Sequence, residues 1–228
     1  MKNSAEYWNT EYTQGSPHFR ALSSEEPSIS AITFVRYLEE RQIPLRGNLL
    51  EVGCGMGRNS NWLSQKGFDA IGVDFSKVAI QQAQSRAEGL GLVARYQVLD
   101  IADRWPFADE SMDYVLDFVT SHLLTREQLE SYKEQLARVL KKDGLFVIYT
   151  LDRTNDKEAQ KLLQEHPGPE PNTYVIPEMG HQERTFNLEE ITTEFPFFKV
   201  QYSDLVHRPT RFGDKIYDRY YWWVVFKK

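Results

Sequence analysis

Leu49-Leu50-Glu51-Val52-Gly53-Cys54-Gly55-Met56-Gly57-Arg58-Asn59-Ser60 is the stretch on which the reading of this chain turns. Asn48 to Val52 is a short, mostly apolar run stopped by glycine, which predicts a buried strand. Glycines directly after such a strand and before a helix let the backbone turn sharply and come close to a ligand. A strand–helix turn with no ligand would carry the same glycines, so the finer detail decides. A dinucleotide fingerprint would place its third glycine at position 58, where this chain has Arg58. The acidic Glu51 sits two residues before the first glycine. A carboxylate at the carboxyl end of a central strand suits a cationic or amino-bearing ligand better than a pyrophosphate.

Working outward, helices and strands alternate. Arg58 to Gly67 reads as a helix with glycine at its carboxyl end, and Ala70 to Val73 as a second strand. Ser76 caps the next helix, whose core face is Ile80, Ala83, Ala87 and Leu90. Val93 to Leu99 and Asp113 to Val119 are the third and fourth strands. Thr125 and Gln128 match a capping box, followed by Leu129, Tyr132, Leu136 and Val139 on one face. Lys141 and Lys142 suit the negative end of that helix, and Gly144 opens a fifth strand, Leu145 to Thr150. Upstream, Ser4 can cap a short helix carrying Tyr7, Trp8 and Tyr12, followed by a Pro/Ser-rich loop. Pro27 then starts a helix with Ala31, Phe34, Val35 and Leu38 inward, ending before Pro44. This alternation predicts parallel βαβ units.

After Leu151 the rhythm breaks. Asp152 to Thr185 holds a helical stretch up to His166, then Pro167, Pro169, Pro171 and Pro177 among few apolar residues. It reads as a surface insertion or mobile cover. Leu188 to Phe195 is a helix, and Phe197 to Val206 and Tyr217 to Phe226 are closing strands. Tyr220-Tyr221-Trp222-Trp223-Val224-Val225-Phe226 is apolar without alternation, so that strand belongs inside the sheet. The basic Arg208, Arg211, Lys215 and Arg219 are offset by Asp204, Asp214 and Asp218, which predicts a solvated hairpin.

Composition sets the class. The 228 residues, 41% hydrophobic, suffice for one core, so a single domain spanning 1–228 is expected. No apolar run reaches the roughly 20 residues of a membrane span, and the first residues lack a secretory pattern. The single cysteine, Cys54, excludes an intrachain disulfide and suits a reducing cytoplasm. A net charge of −6 argues against a nucleic-acid partner. No metal ligand set is assigned.

Two further carboxylates join the glycine loop. Asp74 ends the second strand, 21 residues beyond Gly53, where it can accept bonds from two ribose hydroxyls. Asp100 ends the third strand and can accept from an adenine amino group.

Together these residues resemble the class I S-adenosylmethionine-dependent methyltransferases, over roughly Leu49 to Leu151 and the terminal hairpin. The segment Gly57-Arg58-Asn59-Ser60 and the opening Tyr7-Trp8-Asn9 to Tyr12 are similar to the tellurite-resistance and thiopurine-type members. The resemblance implies an α/β, Rossmann-like, mostly parallel sheet in the order 3-2-1-4-5-7-6, strand seven antiparallel, flanked by helices. It implies S-adenosylmethionine as cofactor. Glu51, Gly53, Cys54, Gly55 and Arg58 would shape its methionine end, and Asp74, Phe75 and Ser76 its ribose and adenine. Asp100 and Ile101 would meet the adenine edge and Asp117 the amine or sulfonium. Residues 1–46, through Trp8 and Tyr12, would form a helical lid, and 152–185 an insertion at the acceptor pocket.

A sulfonium activates its own methyl group, so the protein must chiefly align the reactants. The expected acceptor is a small molecule, a thiol or chalcogen before an oxygen or nitrogen compound. The latter would call on a base, for which His122 is the candidate and Tyr174 and His181 weaker ones. A nicotinamide-dependent oxidoreductase and a non-catalytic S-adenosylmethionine-binding regulator are the competing readings.

Overall fold

The computed structural model describes residues 4–14, 24–176, 179–212 and 214–228. Most of the Pro/Ser-rich loop expected after the first helix, and Pro177, lie outside them. Helices α1 (Ser4–Gln14) and α2 (Ile29–Glu40) precede β1 (Gly47–Val52), α3 (Arg58–Gln65), β2 (Phe68–Asp74), α4 (Lys77–Gly89) and β3 (Arg95–Val98). Then come β4 (Met112–Phe118), a 3-10 turn (Ser121–Leu123), α5 (Arg126–Val139) and β5 (Leu140–Leu151). The chain ends with α6 (Lys157–Glu165), the pair β6 (Thr173–Val175) and β7 (Gln182–Arg184), α7 (Leu188–Glu194), and the hairpin β8 (Lys199–Phe212) and β9 (Lys215–Lys227).

Seven strands form one sheet in the order β3-β2-β1-β4-β5-β9-β8. The first five pair in parallel, and β9 runs antiparallel to both neighbours. This is the Rossmann-like sheet implied by the resemblance. One face buries Leu50, Val73, Val115, Phe146 and Val224 under α5 and α7; the other buries Leu49, Leu116, Val147 and Val225 under α2 and α3. Trp223 to Phe226 are fully buried, as their unbroken apolar run requires of an interior strand. Among the described residues no helix is long and apolar enough to cross a membrane.

Local signals explain most boundaries. The Ser76 hydroxyl accepts from the Ala79 N–H, and Thr125 and Gln128 form the full capping box. Asn187 and Glu190 form another that sequence reading missed. Leu90 does not belong to the core face: it follows the end of α4 and is 58% exposed. Val93, 83% exposed, is likewise outside β3, which occupies only the four residues Arg95–Val98 paired with Ile71–Asp74 at the sheet edge. Lys141 and Lys142 extend β5 rather than cap α5, and Lys141 pairs with Asp113 at 2.9 Å.

Two segments expected as covers differ in kind. α2 is mainly a sheet-covering helix, with Ala31, Phe34 and Leu38 completely buried in the layered core, while its first residues, Ile29 and Ser30, join α1 along the ligand edge. The segment 152–185 is more anchored than its proline content suggests. Tyr174 and Ala159 are buried in the core under β5 and β9, and Asp152, Asp156, Arg184 and Thr185 are buried with hydrogen-bond partners. It is tied down by polar groups, which hydrophobic patterning does not register.

Candidate active site

At the carboxyl ends of β1 and β2 the backbone turns through Gly53, Gly55 and Gly57, all with positive φ. A side chain at Gly53 would run into Thr120, and one at Gly55 would come within 2.9 Å of the Tyr12 hydroxyl. Asp74 fixes this turn. Its Oδ2 accepts from the Gly55 N–H at 3.0 Å and its Oδ1 from the Ser76 N–H at 2.8 Å. Burial raises the Asp74 carboxyl to about 6, against the lowering effect of those two bonds. Glu51 is buried beside it; one oxygen accepts from Asn59 Nδ2 at 2.7 Å and the other from the Ser60 hydroxyl. Burial pushes the Glu51 carboxyl up, while Ser60, Asn59 and the Arg58 guanidinium oppose the shift. Cys54 is buried, and its thiol is driven well above the usual range by burial and then by Asp74 and Glu51, so it is an inert wall of the turn.

Helix α1 sits across this end. Tyr12 is buried with Met56 and Ala79, with Trp8 packed alongside, and the Ser76 hydroxyl donates to Asn9 Oδ1 at 2.6 Å. Phe75, Leu99 and Ile101 complete the apolar walls.

These groups line one end of a cavity of ≈ 900 Å³. The same cavity is also lined by Val119, Thr120 and His122, and by Tyr149 of β5, Leu162 of α6, Ile176, Met179 and Glu183 of the insertion, and Arg208, Arg219 and Tyr221 of the hairpin, which together form the chamber away from the glycine turn. His122 is buried, its Nδ1 has no hydrogen-bond partner among the described residues, and burial pushes its imidazole down to about 4. It is therefore neutral at pH 7. His181 is also buried and pushed down by burial, but it packs against the rings of Tyr7 and Trp8 and is not part of the cavity wall. A chain of polar groups frames the chamber. Asp156 accepts from Arg219 Nε at 2.6 Å, Arg219 donates to the Tyr174 hydroxyl at 3.2 Å, and that hydroxyl donates to Glu183.

The structure brings together most residues singled out from sequence: Trp8, Tyr12, Glu51, Gly53, Cys54, Gly55, Arg58, Asp74, Phe75, Ile101 and His122 all line the cavity. Ser76 stands just behind it. Two acids stay outside. Asp100 is exposed and accepts from the Ala102 N–H at 3.0 Å, closing its own turn. Asp117 is buried, but Thr120, Ser121 and the Tyr132 hydroxyl at 2.9 Å use its oxygens, so it shapes the turn that carries His122. The hairpin is a correction too: Arg208 and Arg219 face the cavity instead of forming a purely solvated surface, because β8 and β9 run several residues past the expected turn. Sequence reading missed Tyr149 and Tyr221, which stack on each other across 72 residues of chain, and Glu183, which accepts from the Tyr174 hydroxyl within the insertion. Among the described residues no cluster of His, Cys, Asp or Glu is arranged to hold a metal ion.

A sheet of this order with a glycine turn and a strand-terminal acid at its ligand edge defines the Rossmann-like methyltransferase fold. Residues 49–144 match a family model described as a methyltransferase domain. The chain is 30% identical over 127 residues to an uncharacterized methyltransferase of Synechocystis, covering 52% of this chain and 58% of that protein. It is 32% identical over 113 residues to a ubiquinone biosynthesis O-methyltransferase of Sinorhizobium fredii, covering 49% and 44%. The chain thus spans about half the length of these curated relatives. Its fold matches the Burkholderia thailandensis 1,6-didemethyltoxoflavin-N1-methyltransferase with a TM-score of 0.70 at 14% identity, over 98% of this chain and 88% of that one. Residues 49–144 thus carry a methyltransferase domain, and the chain is similar in sequence and fold to the class I S-adenosylmethionine-dependent methyltransferases.

Proposed function

We propose that this chain transfers the methyl group of S-adenosylmethionine to an oxygen or nitrogen atom of a small molecule. The observation that carries the reading is the continuity of the cavity, which joins the Asp74-anchored glycine turn to the chamber around His122, Glu183 and Tyr149.

The glycine end fits the cofactor. Each Asp74 oxygen uses one acceptor position on a backbone N–H and keeps another for a ribose hydroxyl. Phe75 and Ile101 offer apolar walls to the adenine, and Glu51 and Arg58 face the methionine portion. Tyr12 and Trp8 close the space as the cover supplied by α1, while Cys54 and Ser76 shape its walls. Asp100 and Asp117 hold turns. Bound there, S-adenosylmethionine supplies an electrophilic methyl group on a sulfonium. The remaining task of the protein is to align a nucleophile and exclude water.

The neutral His122 imidazole on the cavity wall accepts the hydrogen of an acceptor hydroxyl or amine and directs its lone pair. A thiolate or selenide needs no such acceptor, which favours oxygen or nitrogen over the sulfur or chalcogen acceptor expected from sequence. Three of the curated relatives are O-methyltransferases by name. The insertion 152–185 covers the acceptor chamber within the single domain and tightens when it is filled.

An acceptor panel of hydroxylated, amino and thiol compounds, followed by S-adenosylhomocysteine release, tests the proposal. Turnover with hydroxyl or amine compounds is expected. Thiol-only turnover would return the acceptor to sulfur, and cofactor binding with no turnover at all would make the chain a non-catalytic binder.

A further inference from the structure

Two arginines stand directly opposite each other on the terminal hairpin, Arg208 on β8 and Arg219 on β9. Like charges in that position repel unless something neutralises them. Arg219 is neutralised: Asp156, completely buried, accepts from its Nε, and Tyr174 accepts from its guanidinium. Arg208 lines the same cavity, and no carboxylate or other hydrogen-bond acceptor among the described residues engages its guanidinium. The chain has gone to the length of burying an aspartate for one member of the pair and has left the other for something else.

A second group in the same chamber is also unsatisfied. The Tyr149 hydroxyl is buried without a hydrogen-bond partner, although its ring lines the cavity and stacks on Tyr221 at 4.6 Å between centroids. An unpaired buried hydroxyl is costly unless a ligand meets it. Burial pushes the Tyr149 phenol up, while Arg208 and Arg219 act in the opposite direction, so both cations reach this ring electrostatically. A solvent-exposed cation with no protein acceptor and a ring whose buried hydroxyl lacks a partner therefore line one cavity.

We propose that the acceptor carries a carboxylate, held by the Arg208 guanidinium and the Tyr149 hydroxyl. This rests on the methyltransferase reading and adds the substrate class. A single unpaired guanidinium balances one negative charge, which matches a carboxylate better than a phosphate dianion. Arg208 is exposed and His122 buried, so the acid group lies toward solvent and the nucleophilic atom inward. Leu162, Ile176 and Met179 provide the apolar wall between, which suits an aromatic or otherwise apolar acid.

Benzoate, 4-hydroxybenzoate and indole-3-acetate, each titrated against its own amide with S-adenosylhomocysteine present, test this directly. At least one acid should bind tenfold or more tightly than its amide. Arg208→Gln should abolish that preference, Arg208→Lys should keep part of it, and Tyr149→Phe should reduce it several-fold. S-adenosylhomocysteine affinity should stay within about twofold in all three variants. The proposal falls if every acid and its amide bind wild type equally, or if the preference survives Arg208→Gln. It also falls if phenyl phosphate outcompetes the acids, or if Arg208→Gln weakens S-adenosylhomocysteine tenfold, since Arg208 would then serve the cofactor's own carboxylate. Failure of wild type to bind S-adenosylhomocysteine at all is a separate result, which strikes the methyltransferase reading itself.

Discussion

The glycine end of the cavity draws its strand-end and turn groups from residues 51–76, with α1 laid across them, whereas the proposed acceptor end collects His122, Tyr149, Glu183, Arg208, Arg219 and Tyr221 from across about 100 residues. The first is held by backbone: strand ends, a left-handed turn, and a carboxylate gripping two N–H groups. The second is held by side chains, chiefly the series Asp156–Arg219–Tyr174–Glu183. A site of the first kind changes only if its turn is rebuilt. A site of the second kind can be altered one side chain at a time, which suits the part of an enzyme that must choose a substrate.

Damage to the two ends should therefore separate. The largest effect is expected from Asp156→Ala, which leaves Arg219 without its buried partner and removes the α6 cap. Breaking a buried pair costs about 3–5 kcal/mol, so denaturant melts should shift by that amount. Turnover should collapse, while S-adenosylhomocysteine affinity measured below the new melting temperature should stay within threefold. A comparable loss of cofactor affinity would show that the two ends are one cooperative structure.

Gly53→Ala is the converse. Its left-handed backbone and the collision with Thr120 should together cost about 2–4 kcal/mol of stability and abolish cofactor binding. Chemical denaturation and calorimetry would check both. Cofactor affinity like that of wild type would show that the turn is not where the cofactor lies.

His122→Asn should lower kcat about tenfold or more for oxygen or nitrogen acceptors and leave cofactor affinity unchanged. An equal kcat would reduce His122 to a wall residue.

The smallest effects are in pH dependence. The Asp74 carboxyl titrates near 6 in the folded chain and near 3.8 when unfolded. The folded state takes up this proton first as pH falls, so ionised Asp74 costs stability above pH 6 and that cost disappears on acidification. The proposed role of Asp74 as acceptor of the ribose hydroxyls calls for the ionised form, so S-adenosylhomocysteine affinity should fall between pH 7 and 5, and Asp74→Asn should flatten the profile. His122, titrating near 4, should add no inflection to kcat above about pH 5. An imidazole inflection near 6.5 that vanishes in His122→Asn would show that the ring is solvated.

How much was legible in the sequence follows from the same division. Gly53, Gly55 and Asp74 are readable because a turn needs glycine and a strand end needs an acid within a short stretch of chain. The position of β9 was readable from its unbroken apolar run. Asp100 and Asp117 sit where ligand acids sit, but whether a carboxylate faces a cavity or its own turn depends on side-chain direction, which spacing does not fix. Arg208 and Arg219 looked like a balanced surface because Asp156, the group that distinguishes them, lies 63 residues from Arg219. The insertion looked loose because its few apolar anchors, Ala159 and Tyr174, follow no helical or strand period and its other anchors are hydrogen bonds.

The division rests on where the cofactor binds, and calorimetric titration of S-adenosylmethionine and of a nicotinamide dinucleotide into wild type and Asp74→Ala addresses that most directly. Wild type should bind S-adenosylmethionine and not the dinucleotide. A folded Asp74→Ala should bind it roughly tenfold to a hundredfold more weakly, the loss of hydrogen bonds to a charged group. Dinucleotide binding without S-adenosylmethionine binding, or unchanged affinity in Asp74→Ala, would contradict the assignment.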